Sequence, residues 1–147
     1  MNISLRVANL SDLEVLFANR NDPVTRRNSH DSLPIDFKIH QRWFTQALQN
    51  PNRRLFILEV DGSPVATSRL DENLDAVMMS WSVFPEYRGH GYGKTLLTET
   101  LKEAIGLVRA EVKSENVASK KIAEHVGFSL VREENGVCYY EIVRLLY

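Results

Sequence analysis

A single cysteine, Cys138, stands in the 147 residues of the chain, so no disulfide can form within it and the core must hold the fold. Such usage fits a reducing compartment. An excess of either charge is also missing, since 18 Lys and Arg against 19 Asp and Glu leave a net charge of −1. That balance argues against a general nucleic-acid binder, which carries a basic surface to meet phosphates. Pairs such as Arg26-Arg27 and Lys120-Lys121 read as solvated faces. No apolar run approaches the ~20 residues that span a bilayer. The opening "MNISLRVANL" has no basic segment ahead of a long apolar core, so it is not a signal peptide. The expectations are no membrane partner, no nucleic-acid partner and a cytoplasmic location.

What is present is ordinary for a globular chain: 44% apolar and 25% charged residues. The length suits one domain over residues 1–147, which can bury roughly two-thirds of the surface exposed by the unfolded chain. Strand-like and helix-like patterns alternate along it. Ile3, Leu5 and Val7 alternate as in a strand, and Ser11 stands where a helix cap would, ahead of Leu13, Leu16 and Phe17. "RNDPVTRRNSHDSLPID" reads as a long ordered loop, and such loops within a domain are usually functional. A helix is expected from about Lys38 to Gln49 with Ile39, Trp43, Ala47 and Leu48 inward. "RRLFILEV" and "PVATSRL" flank Asp61-Gly62 as a hairpin.

"AVMMSWSVF" has two largely apolar faces, Val77, Met79, Trp81 and Val83 on one and Met78, Ser80, Ser82 and Phe84 on the other, which predicts a central strand. Pro85 ends its pairing. Beyond the glycine-rich stretch, Leu97, Leu101, Ala104, Ile105 and Val108 predict a helix of about four turns. "RAEVK" is a short strand, "SENVASKKIAEHVGF" a helix with Ala118, Ile122 and Val126 on one face and Gly127 as its terminator, and two strands about Asn135-Gly136 close the chain. The sum is a mixed α/β fold of the α+β kind, with a largely antiparallel sheet.

"FPEYRGHGYGKTLL" carries the chemistry. A nucleotide-triphosphatase loop needs a glycine five positions before Gly93, where Arg88 stands. A dinucleotide fingerprint needs G-x-G-x-x-G, whereas Gly89, Gly91 and Gly93 run G-x-G-x-G. Both readings fail. R-x-x-G-x-G on a strand-to-helix turn remains, and its unpartnered N–H groups, the helix dipole and the cations Arg88 and Lys94 suit a pyrophosphate without a metal.

"VFPEYRGHGYGKTLL" followed by "ENVASKKIAEHVGF" resembles the GCN5-related N-acetyltransferase (GNAT) family, and the resemblance covers nearly the whole chain. It implies six to seven strands splayed at the centre, about four flanking helices, and acetyl-CoA as co-substrate. The pyrophosphate would lie on the N–H groups of Arg88, Gly89, His90, Gly91, Tyr92, Gly93 and Lys94. The pantetheine arm would run as an added strand beside Val83 and Phe84, Asn116 would touch the pantetheine or the phosphate end, and Ser119 would point the same way. The Val83 N–H would then point at the thioester oxygen, a role typically worth about 3 kcal/mol.

The sequence departs from the family at Ala123, where many members carry a tyrosine that protonates the leaving thiolate. Tyr87 and His90 border the turn as substitutes, and His90 also reads as a solvated turn residue. A free thiol, of pKa about 8.5, can leave with a proton from water or from the substrate ammonium. For the base, Asp71, Glu72 and Glu59 are candidates, with Ser80 and Ser82 on one face of the central strand. Each reads as structural before it reads as catalytic. His30 and His40 are placed at the surface, within reach of substrate.

The acceptor is a small-molecule amine whose binding falls to the first half of the chain. Arg20, Arg26 and Arg27 among turn residues suit a phosphate or carboxylate, or surface ion pairs. The segment is similar to acetyltransferases of nucleotide-linked amino sugars and also to ribosomal-protein amino-terminal acetyltransferases. A non-catalytic acyl-CoA-binding module is the reading from another class. Monomer and homodimer are both open.

Overall fold

The computed structural model describes residues 1–145. Its elements are, in order, β1 (Ile3–Val7), a 3₁₀ turn (Leu10–Asp12), α1 (Leu13–Asn21), α2 (Pro23–Arg27), α3 (Phe37–Gln49), β2 (Arg53–Val60), β3 (Ser63–Glu72) and β4 (Val77–Val83). A second 3₁₀ turn (Pro85–Tyr87) leads to α4 (Tyr92–Leu101), β5 (Gly106–Lys113), α5 (Val117–Val126), β6 (Ser129–Glu134) and β7 (Val137–Arg144). The hairpins form where expected, because Asp61 and Gly62 (φ 50° and 83°) and Asn135 and Gly136 (φ 52° and 77°) take the left-handed angles that a two-residue turn between twisted strands needs.

The sheet order is β1-β2-β3-β4-β5-β7-β6, with every neighbouring pair antiparallel except β4 and β5. β4 is the middle strand. One face carries α4 and α5, whose Leu96, Leu97 and Ala123 pack on Met79, Val108 and Tyr140. The other carries α1 and α3, where Leu16 and Phe44 cover Leu55, Ile57 and Phe84. Full burial of each such large side chain contributes about 2 kcal/mol. No helix among the described residues is long and apolar enough to cross a membrane.

Several elements depart from the pattern reading. The helix after the glycine turn stops at Leu101, because Gly106 (φ 89°) redirects the chain; Ile105 is exposed and Val108 lies in β5. The long loop contains α2, which Pro23 starts and Asp22 caps by accepting from the Thr25 N–H at 3.0 Å, giving five α-helices instead of about four. Asn9 and Asp12, not Ser11, form the capping box ahead of α1. On α3 the buried residues are His40, Phe44 and Ala47, while Ile39 is exposed. On α5 it is Ala123 that is fully buried, and Ala118 is exposed.

Candidate active site

β4 and β5 are in register only at Val77 with Val108 and Met78 with Arg109. Beyond Met78 the two strands diverge. The Phe84 N–H donates to the Val65 carbonyl at 2.9 Å, which fixes Ser82 and Phe84 as the residues bonded to β3. By antiparallel alternation Trp81 and Val83 then turn their N–H and C=O groups toward β5, into the gap. An extended amide chain can pair with groups so exposed.

At the end of β4 the chain enters the glycine turn. Gly89 and Gly91 have φ of 79° and 81°, and a Cβ on either would meet nothing within 4 Å, so these glycines serve the backbone angle and leave the space beside it open. Among the described residues, the N–H groups of Arg88, Gly89, His90 and Gly91 reach no protein acceptor, and those of Tyr92, Gly93 and Lys94 lie in the first turn of α4, which has no partners of its own. Turn carbonyls are occupied instead, with His90 Nδ1 2.9 Å from the Arg88 oxygen and 3.1 Å from that of Tyr87. The His90 ring stacks on Tyr92 at 5.7 Å. Free donors, a helix N-terminus and the exposed Lys94 fit a pyrophosphate, and the open edge of β4 fits pantetheine.

A cavity of about 790 Å³ joins these two features to the α1–α3 face of the sheet. Of the residues singled out from the sequence, it brings together Val83, Ser80, Ser82, Tyr87, Arg88, Gly89, Gly91, Tyr92, Gly93, Lys94, Asn116, Ser119, Arg20, His30 and His40. Phe84, expected beside the pantetheine arm, is instead buried in the α1–α3 core with its N–H taken by the Val65 carbonyl, and it does not line the cavity. His90 lies on the outside of the turn. Asn116 Oδ1 caps α5 by accepting from the Ser119 N–H at 3.2 Å, and Ser119 Oγ accepts from Trp81 Nε1 at 3.2 Å.

Three expectations need correction. Asp71 does not line the cavity and is held in ion pairs, by Arg53 at 2.5 Å and with Arg69 at 2.9 Å; Glu59 and Glu72 are likewise paired, with Arg6 and Arg54. Arg26 and Arg27 do not line the cavity, because α2 directs Arg26 to the carbonyls of Asn21 and Ser32 and leaves Arg27 exposed. The Arg88 side chain, expected as a cation for the pyrophosphate, is instead engaged within the protein: its Nη2 donates to Asp22 Oδ2 at 2.8 Å and Thr25 Oγ1 at 2.9 Å. Burial would raise the Asp22 carboxyl, but the Arg88 bond and the Thr25 N–H outweigh it and hold the pKa below its ordinary value.

Sequence reading missed Asn19, Trp81 and Glu111 as cavity residues, and it placed His40 at the surface where the structure buries it. Asn19 donates from Nδ2 to Ser82 Oγ at 3.0 Å, joining α1 to β4. His40 is only 4% exposed, packs among Phe17, Trp43 and Phe44, and has no partner for Nε2; burial first and Arg20 second lower its pKa. Trp81 spans to α5 through its indole N–H. Glu111 faces His30 at 3.4 Å on the far wall. Only His40 left a signal, an i, i+4, i+7 spacing with Phe44 and Ala47 that outranks Ile39.

Comparison with known proteins follows this geometry. The spermidine N-acetyltransferase of Vibrio cholerae, in complex with CoA and spermine, superposes with a TM-score of 0.86 at 18% identity, covering 97% of this chain and 95% of that one. The ribosomal-protein-alanine N-acetyltransferase of Brucella melitensis gives 0.78 at 20% identity, covering 95% and 99%. The yncA protein of Salmonella typhimurium, with its cofactor acetyl-CoA, gives 0.82 at 19%, covering 100% and 96%. At these identities the likeness is one of fold. No curated protein matches by sequence. The sequence model of the acetyltransferase (GNAT) family matches residues 17–128, which hold both the glycine turn and the α5 segment, and the chain therefore belongs to that family of acetyl-CoA-dependent N-acetyltransferases.

Proposed function

We propose that the chain acetylates the primary amine of a small, negatively charged acceptor, a nucleotide-linked amino sugar being the case its loop composition suggests. The observation that carries this reading is the continuity of one cavity from the unpaired N–H groups of the turn, past the open edge at Trp81 and Val83, to Arg20 and Arg69. The wall carries Arg20, Arg69, Arg88, Lys94 and Lys113 against two acids, Asp31 and Glu111, and this excess of cations favours an anionic acceptor over a polycation.

In this reading Gly89 to Lys94 hold the pyrophosphate, with Asn116 and Ser119 on the α5 side of the arm. Acetyl-CoA supplies an activated carbonyl and a thiol leaving group. The Val83 N–H, fixed by strand pairing before reaction, polarises the carbonyl oxygen, and Ser82 and Tyr87 supply hydroxyls beside it. A neutral amine attacks; the N–C bond forms, the C–S bond breaks, and the proton lost by nitrogen accompanies the thiol. Ala123, fully buried, contributes no acid.

Thiol release from acetyl-CoA, followed with a panel of amino-sugar nucleotides, amino-terminal peptides and polyamines, tests the reading. Saturable release with the sugar nucleotides is expected. Binding of acetyl-CoA with no release across the panel would favour an acyl-CoA-binding module, and release with peptides or polyamines alone would replace the acceptor.

A further inference from the structure

Among the described residues one chain of hydrogen bonds joins the cofactor turn to the floor of the acceptor side. Arg88 Nη2 donates to Thr25 Oγ1 at 2.9 Å; Thr25 Oγ1 lies 3.2 Å from Asn19 Oδ1; Asn19 Nδ2 donates to Ser82 Oγ at 3.0 Å. Polarity along it is set at one end, because a guanidinium has donors only. With its oxygen filled by Arg88, Thr25 turns its single proton outward. Thr25 Oγ1 lies 3.2 Å from Asp22 Oδ2 as well as from Asn19 Oδ1, but Asp22 is already served by Arg88 at 2.8 Å and by the Thr25 N–H at 3.0 Å, whereas Asn19 Oδ1 has no other donor among the described residues and is the acceptor left in need. Asn19 is 5% exposed and held from both sides. Its amide is thereby oriented with nitrogen toward Ser82, and no acceptor among the described residues takes the Ser82 proton.

We propose that Asn19 is a positioning residue for acetyl transfer, orienting Ser82 so that its hydroxyl donates into the cavity beside the Val83 N–H. This rests on the acetyltransferase reading above and adds to it a second donor for the reacting carbonyl, in a chain whose usual acid position is Ala123. The hydroxyl lends a hydrogen bond and keeps its proton. Arg88 thus acts twice, through its main chain at the turn and through its side chain on the acceptor floor.

The test uses the full chain with the best acceptor found by thiol release. Asn19→Leu is expected to lower kcat by about tenfold or more while the acetyl-CoA Kd stays within about twofold, since misplacement of a group by about 1 Å costs rate before affinity. Asn19→Asp discriminates further. An ionised carboxylate can accept the Ser82 proton but cannot donate, so its kcat relative to the parent should fall, and recover as pH is lowered and the carboxyl, raised by burial, regains a proton. In a Ser82→Ala background Asn19→Leu should have no added effect. Wild-type levels of Asn19→Asp at every pH would overturn the proposal, as would full additivity with Ser82→Ala. Should the parent itself release no thiol with any amine, the acetyltransferase reading fails first, and the two failures are distinct. If Asn19→Leu does not fold, Asn19→Asp and the Ser82→Ala comparison with Asn19→Ser decide the matter in the same way.

Discussion

Gly93 faces Ile122 so closely that a Cβ on the glycine would lie 2.5 Å from Ile122 Cδ1 and 3.6 Å from Val83 Cγ2. Here the first turn of α4 meets α5 directly above the end of β4. The glycine is required by packing, since its backbone is helical and needs no special angle. Gly93→Ala should cost about 1–3 kcal/mol, at the lower end if the isoleucine tip rotates aside. Adding Ile122→Val removes the clashing methyl and should restore part of that loss. Urea denaturation of the two variants checks it, and a double variant no better than Gly93→Ala would refute the contact.

Gly91 is a different case. Its φ of 81° is left-handed and the space beside it is open. Gly91→Val should cost the fold only about 1–2 kcal/mol from the backbone angle, yet its side chain would fill the place proposed for the pyrophosphate. Calorimetry should show acetyl-CoA binding weakened at least about tenfold, a loss of ~1.4 kcal/mol. Unchanged affinity would move the site elsewhere.

Arg6 and Asp12 form a two-bond ion pair at 2.8 Å, with the carboxylate 3% exposed. Burial pushes the Asp12 pKa up, but the Arg6 bonds and the Asn9 N–H more than reverse this and leave it lowered. The folded carboxyl thus sits below its unfolded value of about 3.9, so its contribution is complete above that pH and is lost as pH falls through the folded value. Arg6→Leu strands a buried charge and should cost about 3 kcal/mol at neutral pH. Protonation relieves the stranded carboxyl, so the deficit should shrink near pH 4, of the order of the unfolded pKa. Denaturation curves at the two pH values decide this.

His40 titrates in the same sense at a higher pH. Burial and then Arg20 hold its pKa below the ordinary value, so the unfolded chain takes up the proton first, and stability falls as pH drops below about 6.5. His40→Phe removes both this dependence and the unpartnered Nε2. Its melting temperature should vary less between mildly acidic and neutral buffer than that of the parent; an equal slope would assign the titration to another group.

The arginines divide by position. Arg20 lines the cavity and donates to the Leu33 carbonyl at 3.3 Å, whereas Arg26 and Arg27 do not line it. Arg20→Ala should raise the acceptor's KM several-fold, about 1 kcal/mol, and the double change of Arg26 and Arg27 to Ala should leave it unaltered. Steady-state kinetics with the acceptor varied test this, and the reverse pattern would place the acceptor on the outer face of α2.

The sequence by itself determined the parts whose physics is local. Asp61-Gly62 and Asn135-Gly136 specify tight hairpins, Gly127 (φ 112°) terminates α5, and the two apolar faces of 77–84 specify the middle strand of the sheet. The glycine turn was legible for the same reason, since left-handed angles leave few residue choices. Packing between distant segments was decided only by the tertiary structure. No spacing rule tells that α2 draws Arg26 and Arg27 away from the cavity, that Arg53 takes Asp71, or that Asn19 meets Ser82 across 63 positions of chain. Ile105 and Val108 kept a helical period by coincidence, and Gly106 broke it. Such contacts depend on which surfaces meet after collapse, and a one-dimensional pattern carries the period of each surface without the identity of its partner.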